Sequence, residues 1–307
     1  MSFMELTCQL HMHTTESKGT RVVVESTTRP KEAIDFCKKN KINVLAVTDH
    51  NTTSAYPKMR KYAEKNGILL IKGIEIDTVD GHIIGLDVDL DIEKKIDRSM
   101  TALEARDVIK DCGGEVLIPH PFDIRNKGIG AKITEVKGIV EVFNAFNIFR
   151  FEDRYADFVA TKLKRAKSVG ADSHMPESLK LCLTIVDSEP DVKSILEAIK
   201  KGKVRFENCR HLTLKEMKGI SLDRITKSYD YIKNEIKNGW EVDMKYMLLA
   251  NNPLMRPIED FVLDLGMRTK DSMIWDFVVY LSYFLAFIYG RRSRKEYVKF
   301  VSTLKSL

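Results

Sequence analysis

The sequence is short of cysteine, of histidine and of long apolar runs, and each shortage excludes something. Its five cysteines, Cys8, Cys37, Cys112, Cys182 and Cys209, are odd in number, scattered, and form no CxxC pair. A disulfide framework and a zinc ribbon are therefore excluded, and the thiols read as small apolar core residues in a reducing cytoplasm. The N-terminus, MSFMELTCQLHMH, lacks a basic stretch followed by an apolar one, so no secretory signal is read. The most apolar run, Ile274–Gly290, has 17 residues and contains Asp276. It stops just short of the roughly 18–20 residues that span a bilayer. Arg291, Arg292, Arg294 and Lys295 follow it, as they would beside a membrane face, but a buried core or dimer-interface helix is the preferred expectation over membrane contact. There is no internal repeat and no low-complexity stretch.

What remains is an ordinary folded chain. At 307 residues, 44% hydrophobic and 31% charged, it is large enough for one or two domains and is not disordered. A formal charge of +6 is too small to argue for nucleic acid. Strand and helix signals alternate through the first two-thirds. Strands are expected at Leu6–Leu10, Ile42–Val47, Ile68–Ile76, His82–Leu86, Glu115–Ile118, Ile139–Phe143, Val169–Ala171 and Leu183–Val186. Helices are expected at Pro30–Asn40, Ser54–Lys65, Thr101–Cys112, Glu152–Lys167 and Asp191–Lys201. Such alternation predicts an α/β fold with a parallel sheet or barrel, and in a barrel the chemistry sits at the C-terminal strand ends. After about His211 helical patterns dominate: Asp223–Lys237, Met244–Leu249, Pro257–Leu265, Met273–Tyr289 and Lys295–Leu304. Residues 1–210 therefore read as one domain and 211–307 as a helical C-terminal segment. The segment holds 16 basic and 12 acidic residues, so it carries +4 of the +6.

Only seven residues are histidine, and six of them lie within the first 174 positions, each at the end of a strand candidate. His11 and His13 are two apart on an extended segment, which aims both imidazoles to one side. His50 follows in Thr48-Asp49-His50-Asn51. Glu75 ends the next strand, His82 opens another, His120 lies in Pro119-His120-Pro121, and Asp172 and His174 form a second i, i+2 pair. One such residue is unremarkable core chemistry. Together they predict a shared metal site.

The series HMHT, TDHN, GIEID with His82, HPF and GADSH resembles the PHP (polymerase and histidinol phosphatase) family over about residues 5–205. The resemblance implies a distorted (β/α)7 barrel, two or three divalent ions and hydrolysis of phosphate esters. It implies that His11, His13, Glu75 and Asp172 hold one metal, that Glu75 bridges to a second completed by His82 and His120, and that His50 and His174 face a third position. The segment His-Met-His-Thr-Thr-Glu-Ser-Lys-Gly departs from the family, because Lys18 stands where an Asp often helps bind the third metal. Either Lys18 supplies positive charge to the substrate phosphate at a two-metal site, the preferred arrangement, or a weaker third ion is held by His50 and His174 with waters or Glu16.

The expected chemistry is attack on phosphorus by a hydroxide bridging the metals beside Glu75. His50, His174 and Asp49 are candidates for protonating the leaving group, with Asp49 alternatively orienting a ligand imidazole. Mixed imidazole and carboxylate ligands suit Mn, Fe or Zn. Phosphate contacts are expected from Lys18, Arg21, Arg125 and Lys127, and substrate binding from Asn144 by position. The leading expectation is a phosphoesterase for a small phosphorylated metabolite or nucleotide. Histidinol-phosphate phosphatase, a nucleic-acid end-processing module using the basic tail Arg291–Lys305, and an inactive scaffold rank below it.

Overall fold

The computed structural model describes residues 3–18, 24–125, 127–237 and 273–306. Arg21 and the helices expected at 244–249 and 257–265 lie outside the described residues. The elements run β1 (Met4–Gln9), α1 (Pro30–Lys39), β2 (Val44–Val47), α2 (Ala55–Lys65), β3 (Leu69–Thr78), β4 (Gly81–Leu86), α3 (Ala102–Asp111), β5 (Glu115–Ile118), β6 (Ile139–Asn144), α4 (Arg150–Lys162), β7 (Lys167–Gly170), β8 (Leu183–Ser188), α5 (Val192–Lys200), β9 (Val204–Glu207), α6 (Leu214–Lys237), α7 (Met273–Tyr289) and α8 (Arg291–Ser306).

Among the described residues, one sheet holds all nine strands, in the order β7-β6-β5-β4-β3-β2-β1-β8-β9. The β1–β2, β2–β3, β5–β6 and β6–β7 pairs are parallel, whereas β4 runs antiparallel to both β3 and β5. Strands β8 and β9 add an antiparallel edge to β1. Beyond that edge β1 leaves β8, and Met12 bridges Ser173 in parallel, which brings the chain after β1 against the chain after β7. The seam below this bridge is filled by Gln9. Its buried amide donates to the carbonyls of Leu179 and Cys182 at 2.7 and 3.0 Å and accepts from the Ala171 N–H at 3.2 Å. The result is a distorted seven-stranded α/β barrel with helices on its flank.

Strand periodicity separates floor from site. Val44, Ala46, Ile71, Ile84, Leu117 and Ile139 form a buried apolar cluster that α5 covers with Ile195 and Ile199. Further along the same strand faces stand His50, Glu75, His82 and Glu141, so the barrel is oily below and polar above. The turn between β3 and β4 sets Asp77 opposite His82 and Glu75 opposite Ile84. Reversing β4 is what brings its first residues, including His82, to the C-terminal end of the parallel strands.

Four expectations need correction. The helix after Phe149 stops at Lys162, because Lys164 takes φ 52° and Lys167 already belongs to β7. Helix α6 starts nine residues earlier than expected, where the Thr213 hydroxyl accepts from the Glu216 N–H at 3.2 Å and the Glu216 carboxylate accepts from the Thr213 N–H at 2.8 Å. Four cysteines are buried but Cys209 is exposed. Helix α7 forms as expected, yet Phe277, Tyr280, Phe284 and Tyr289 on it are exposed, so it is not a buried core helix. No described helix is long and apolar enough to cross a membrane.

Helix α8 joins the barrel core through Tyr297, Val301 and Leu304. The Tyr297 hydroxyl donates to the Gly128 carbonyl at 3.1 Å, and its ring meets Phe122 edge-on at 5.2 Å. A Cβ on Gly130, which has φ +56°, would strike that ring. Tyr297→Ala should therefore lower stability by about 3–5 kcal/mol, while Tyr297→Phe should lose only about 1 kcal/mol. Urea unfolding of both variants checks the ratio, and equal losses would show that the ring contributes nothing.

Candidate metal centre

Glu75 is the hub. Its Oε2 lies 3.3 Å from His11 Nε2, 3.1 Å from His13 Nε2 and 3.3 Å from His50 Nε2. Its Oε1 lies 2.9 Å from His82 Nδ1 and 3.2 Å from His120 Nε2. Asp172 Oδ1 sits 3.5 Å from His11 Nε2 and 3.2 Å from His13 Nε2, on the far side of the seam. The His174 ring stacks beside His13 at 4.6 Å. The structure thus brings together all eight residues expected as metal ligands: His11, His13, His50, Glu75, His82, His120, Asp172 and His174. The backbone bends to do so, since Asn51, His120 and Asp172 all have positive φ, costly for residues with a Cβ and concentrated at functional sites.

Imidazole orientation is fixed from behind. His11 Nδ1 faces Glu141 Oε1 at 3.0 Å, His50 Nδ1 faces Asp77 Oδ1 at 2.7 Å, and His174 Nδ1 donates to the Asp172 carbonyl at 2.7 Å. Each of these contacts favours a proton on Nδ1 and leaves the Nε2 lone pair toward the centre. Glu141 also accepts from the His120 N–H at 2.8 Å. Gly170 makes room for this carboxylate, because a Cβ there would land on Glu141 Oε1.

The electrostatics are those of a cation site. Burial favours the neutral carboxyl, yet His50, His82 and His11 hold Glu75 well below the usual carboxylate range, and His11, His13 and His174 do the same for Asp172. Burial would also push His50 down, but Glu25, Glu75 and Asp77 outweigh it and hold His50 up at about 10. Burial dominates at His82, which falls to about 4 although Glu75 opposes it. The carboxylates' demand for positive charge can be met by imidazolium protons or by metal cations, and the two compete. Among the described residues, buried His174 Nε2 has no hydrogen-bond partner, and buried His13 Nε2, although 3.1 Å from Glu75 and 3.2 Å from Asp172, makes no hydrogen bond with either. Four overlapping groups bring candidate ligand atoms within 4.8 Å of one another: His11–His120–Asp172, His11–His13–Glu75, His13–Asp172–His174 and His50–Glu75–His82. Convergent, buried lone pairs of mixed imidazole and carboxylate type fit divalent transition metals.

Other expected residues sit elsewhere. Lys18 is 59% exposed and its ammonium pairs with Glu93 at 3.4 Å, drawn outward from the cluster. Glu16 pairs with Lys58 at 2.6 Å. Both carboxylate oxygens of Asp49 bind Thr14, one to its N–H and one to its hydroxyl at 2.7 Å, so Asp49 anchors the loop after β1. The Asn144 side chain donates to Glu141 at 2.7 Å and accepts from the Phe146 N–H at 2.8 Å, so it braces the carboxylate behind His11. Arg125 is clamped to Asp123, with Nε at 2.9 and 3.0 Å from its two oxygens. Lys127 is close enough for its charge to act on Glu25, His82 and His174. Three acids at the site carried no sequence expectation: Asp77, Glu141 and Glu25, whose Oε1 lies 3.7 Å from His50 Nε2.

The PHP domain pattern matches residues 9–246, covering the whole cluster and running past α6. An uncharacterised protein of Methanocaldococcus jannaschii is 35% identical over 124 residues, 40% of this chain and 70% of that protein. The 5′-3′ exoribonuclease Rnm of Salmonella typhimurium is 36% identical over 87 residues, 26% of this chain and 27% of Rnm. Among solved structures, a two-domain protein of Bacteroides vulgatus containing a predicted PHP-like metal-dependent phosphoesterase superposes with a TM-score of 0.56 at 18% identity, covering 71% of this chain and 69% of that one. PsfC of Pseudomonas syringae gives 0.50 at 16% identity, covering 75% and 98%. At these identities the two structural likenesses are likenesses of fold.

Proposed function

The chain belongs to the PHP-domain family of metal-dependent phosphoesterases, and from that premise we propose that it removes the terminal phosphate of a small phosphorylated metabolite or nucleotide. The observation that carries this reading is the enclosure of the hub: Glu75 is fully buried, with five imidazoles around it, and the rim residues Asp77 and His82 are each only 12% exposed on their side chains. A hub so enclosed suits the end of a molecule better than the middle of a polymer.

In this reading His11, His13, Glu75 and Asp172 hold one divalent ion, and Glu75, His82 and His120 hold a second, of Mn, Fe or Zn. His50 and His174 face a third position. Divalent ions, when bound, supply a nucleophile at neutral pH and neutralise charge on the phosphate oxygens. The chain's own part is orientation. Glu141 and Asp77 lock the imidazoles of His11 and His50. Leaving-group protonation falls to His50, backed by Asp77, or to His174. Lys127 draws the anion to the rim. We take residues 1–210 as the barrel domain and 211–307 as a helical addition, supported by α8, which packs on the barrel core through Tyr297, Val301 and Leu304.

A second reading, processing of RNA 5′ ends, is favoured by the likeness to Rnm over 27% of that protein's length. One screen separates the two. Metal-loaded protein is offered p-nitrophenyl phosphate, bis-p-nitrophenyl phosphate, mononucleotides and 5′-phosphorylated oligoribonucleotides across a salt series. The proposal expects monoesters to be cleaved at rates nearly independent of salt. Preference for oligonucleotides with a steep fall in salt would replace it with the second reading, and inertness toward every ester would reject both.

A further inference from the structure

Arg224, on α6 outside the barrel, reaches down to the rim of the metal centre. Its side chain is 18% exposed, and its guanidinium lies 3.6 Å from Glu25, a loose ion pair whose acid is itself only 8% exposed. No hydrogen bond from the guanidinium is found among the described residues, and Nε is buried with no partner. Arginine carries five N–H donors in a planar fork that matches phosphate oxygens, and a buried guanidinium normally has most of them satisfied. Its charge acts on Asp172 and on His174, and its ion-pair partner Glu25 lies 3.7 Å from His50 Nε2, so the guanidinium stands beside the cluster. Other cations reach the same site, but Lys18 pairs with Glu93, Arg125, whose charge also acts on Asp172, is already held by Asp123, and Lys127, which also acts on His174, lacks the planar fork.

We propose that Arg224 is the phosphate-binding residue of this site, with its unsatisfied fork taking the substrate's terminal phosphate oxygens and Glu25 holding the guanidinium in position. The idea rests on the phosphomonoesterase reading above and assigns a substrate-binding role to the helical addition. A helix beyond the barrel would then supply the cation that the loop after β1, with Lys18 turned away, does not.

The test uses the full metal-loaded chain and three forms: wild type, Arg224→Gln and Arg224→Lys. Binding of inorganic phosphate is measured by calorimetry, hydrolysis of p-nitrophenyl phosphate gives kcat and KM separately, and elemental analysis gives metal content. Arg224→Gln should weaken phosphate binding and raise KM at least about tenfold with metal content unchanged, and Arg224→Lys should recover part of the loss because it restores charge without the fork. Wild-type phosphate affinity in Arg224→Gln would overturn the proposal. So would a fall in melting temperature shared by both variants with KM unaltered, which would make the residue a strut between α6 and the barrel. If wild type hydrolyses no monoester but still binds phosphate in an Arg224-dependent way, the functional reading fails and the phosphate site stands.

Discussion

Glu75→Gln is expected to lower phosphate-ester hydrolysis by at least about 10³-fold and to reduce the metal bound by the purified protein. The substitution keeps volume and shape but removes the charge shared by His11, His13, His50, His82 and His120. It also replaces one carboxylate oxygen by an amide N–H₂, which has no lone pair to offer a cation. No solvent screens the change, because the carboxylate is completely buried. Elemental analysis and steady-state hydrolysis read the two effects independently. Full activity with full metal would mean that the catalytic centre lies elsewhere.

Stripping the metals should abolish hydrolysis and soften the fold together. Without cations the buried acids must be neutralised by protons on neighbouring imidazoles. A metal present at about 100 times its Kd adds about 2.7 kcal/mol per site, which for a chain of 307 residues is a rise of roughly 4 °C in melting temperature per site. Scanning calorimetry after chelation, and again after adding Mn²⁺, checks both the drop and its return. A melting temperature and activity indifferent to chelation would contradict a metal-dependent site.

The candidate ligands were legible in the sequence because each lies at a strand end and several come in short pairs. Their supports were not. Glu141 reads as a stray acid in the apolar strand IVEVFN, and only the barrel brings it to His11, 130 positions away in the chain. Asp77 stands two residues from Glu75, on the same strand face, so strand periodicity could have paired it with the site. The start of α6 had a signal as well, since Thr213 and Glu216 have capping-box spacing. Glu25 and Arg224 had none. Their meeting depends on how α6 packs on the barrel, and no local pattern encodes that. Lys18 shows the converse: a residue at a meaningful motif position whose side chain is taken by a surface acid, Glu93.

The seam plugged by Gln9 has a topological consequence. Gln9 and Ala171 are 162 positions apart in the chain, and at this joint a side-chain amide replaces a continuous ladder. His11 and His13 stand on one bank, Asp172 and His174 on the other. An ion held by His13 and Asp172 would act as a reversible staple across nearly the whole barrel. A covalent cross-link closing a loop that long restricts the unfolded chain by about 5 kcal/mol. The same ions that serve the chemistry would then also hold the first and last barrel strands together.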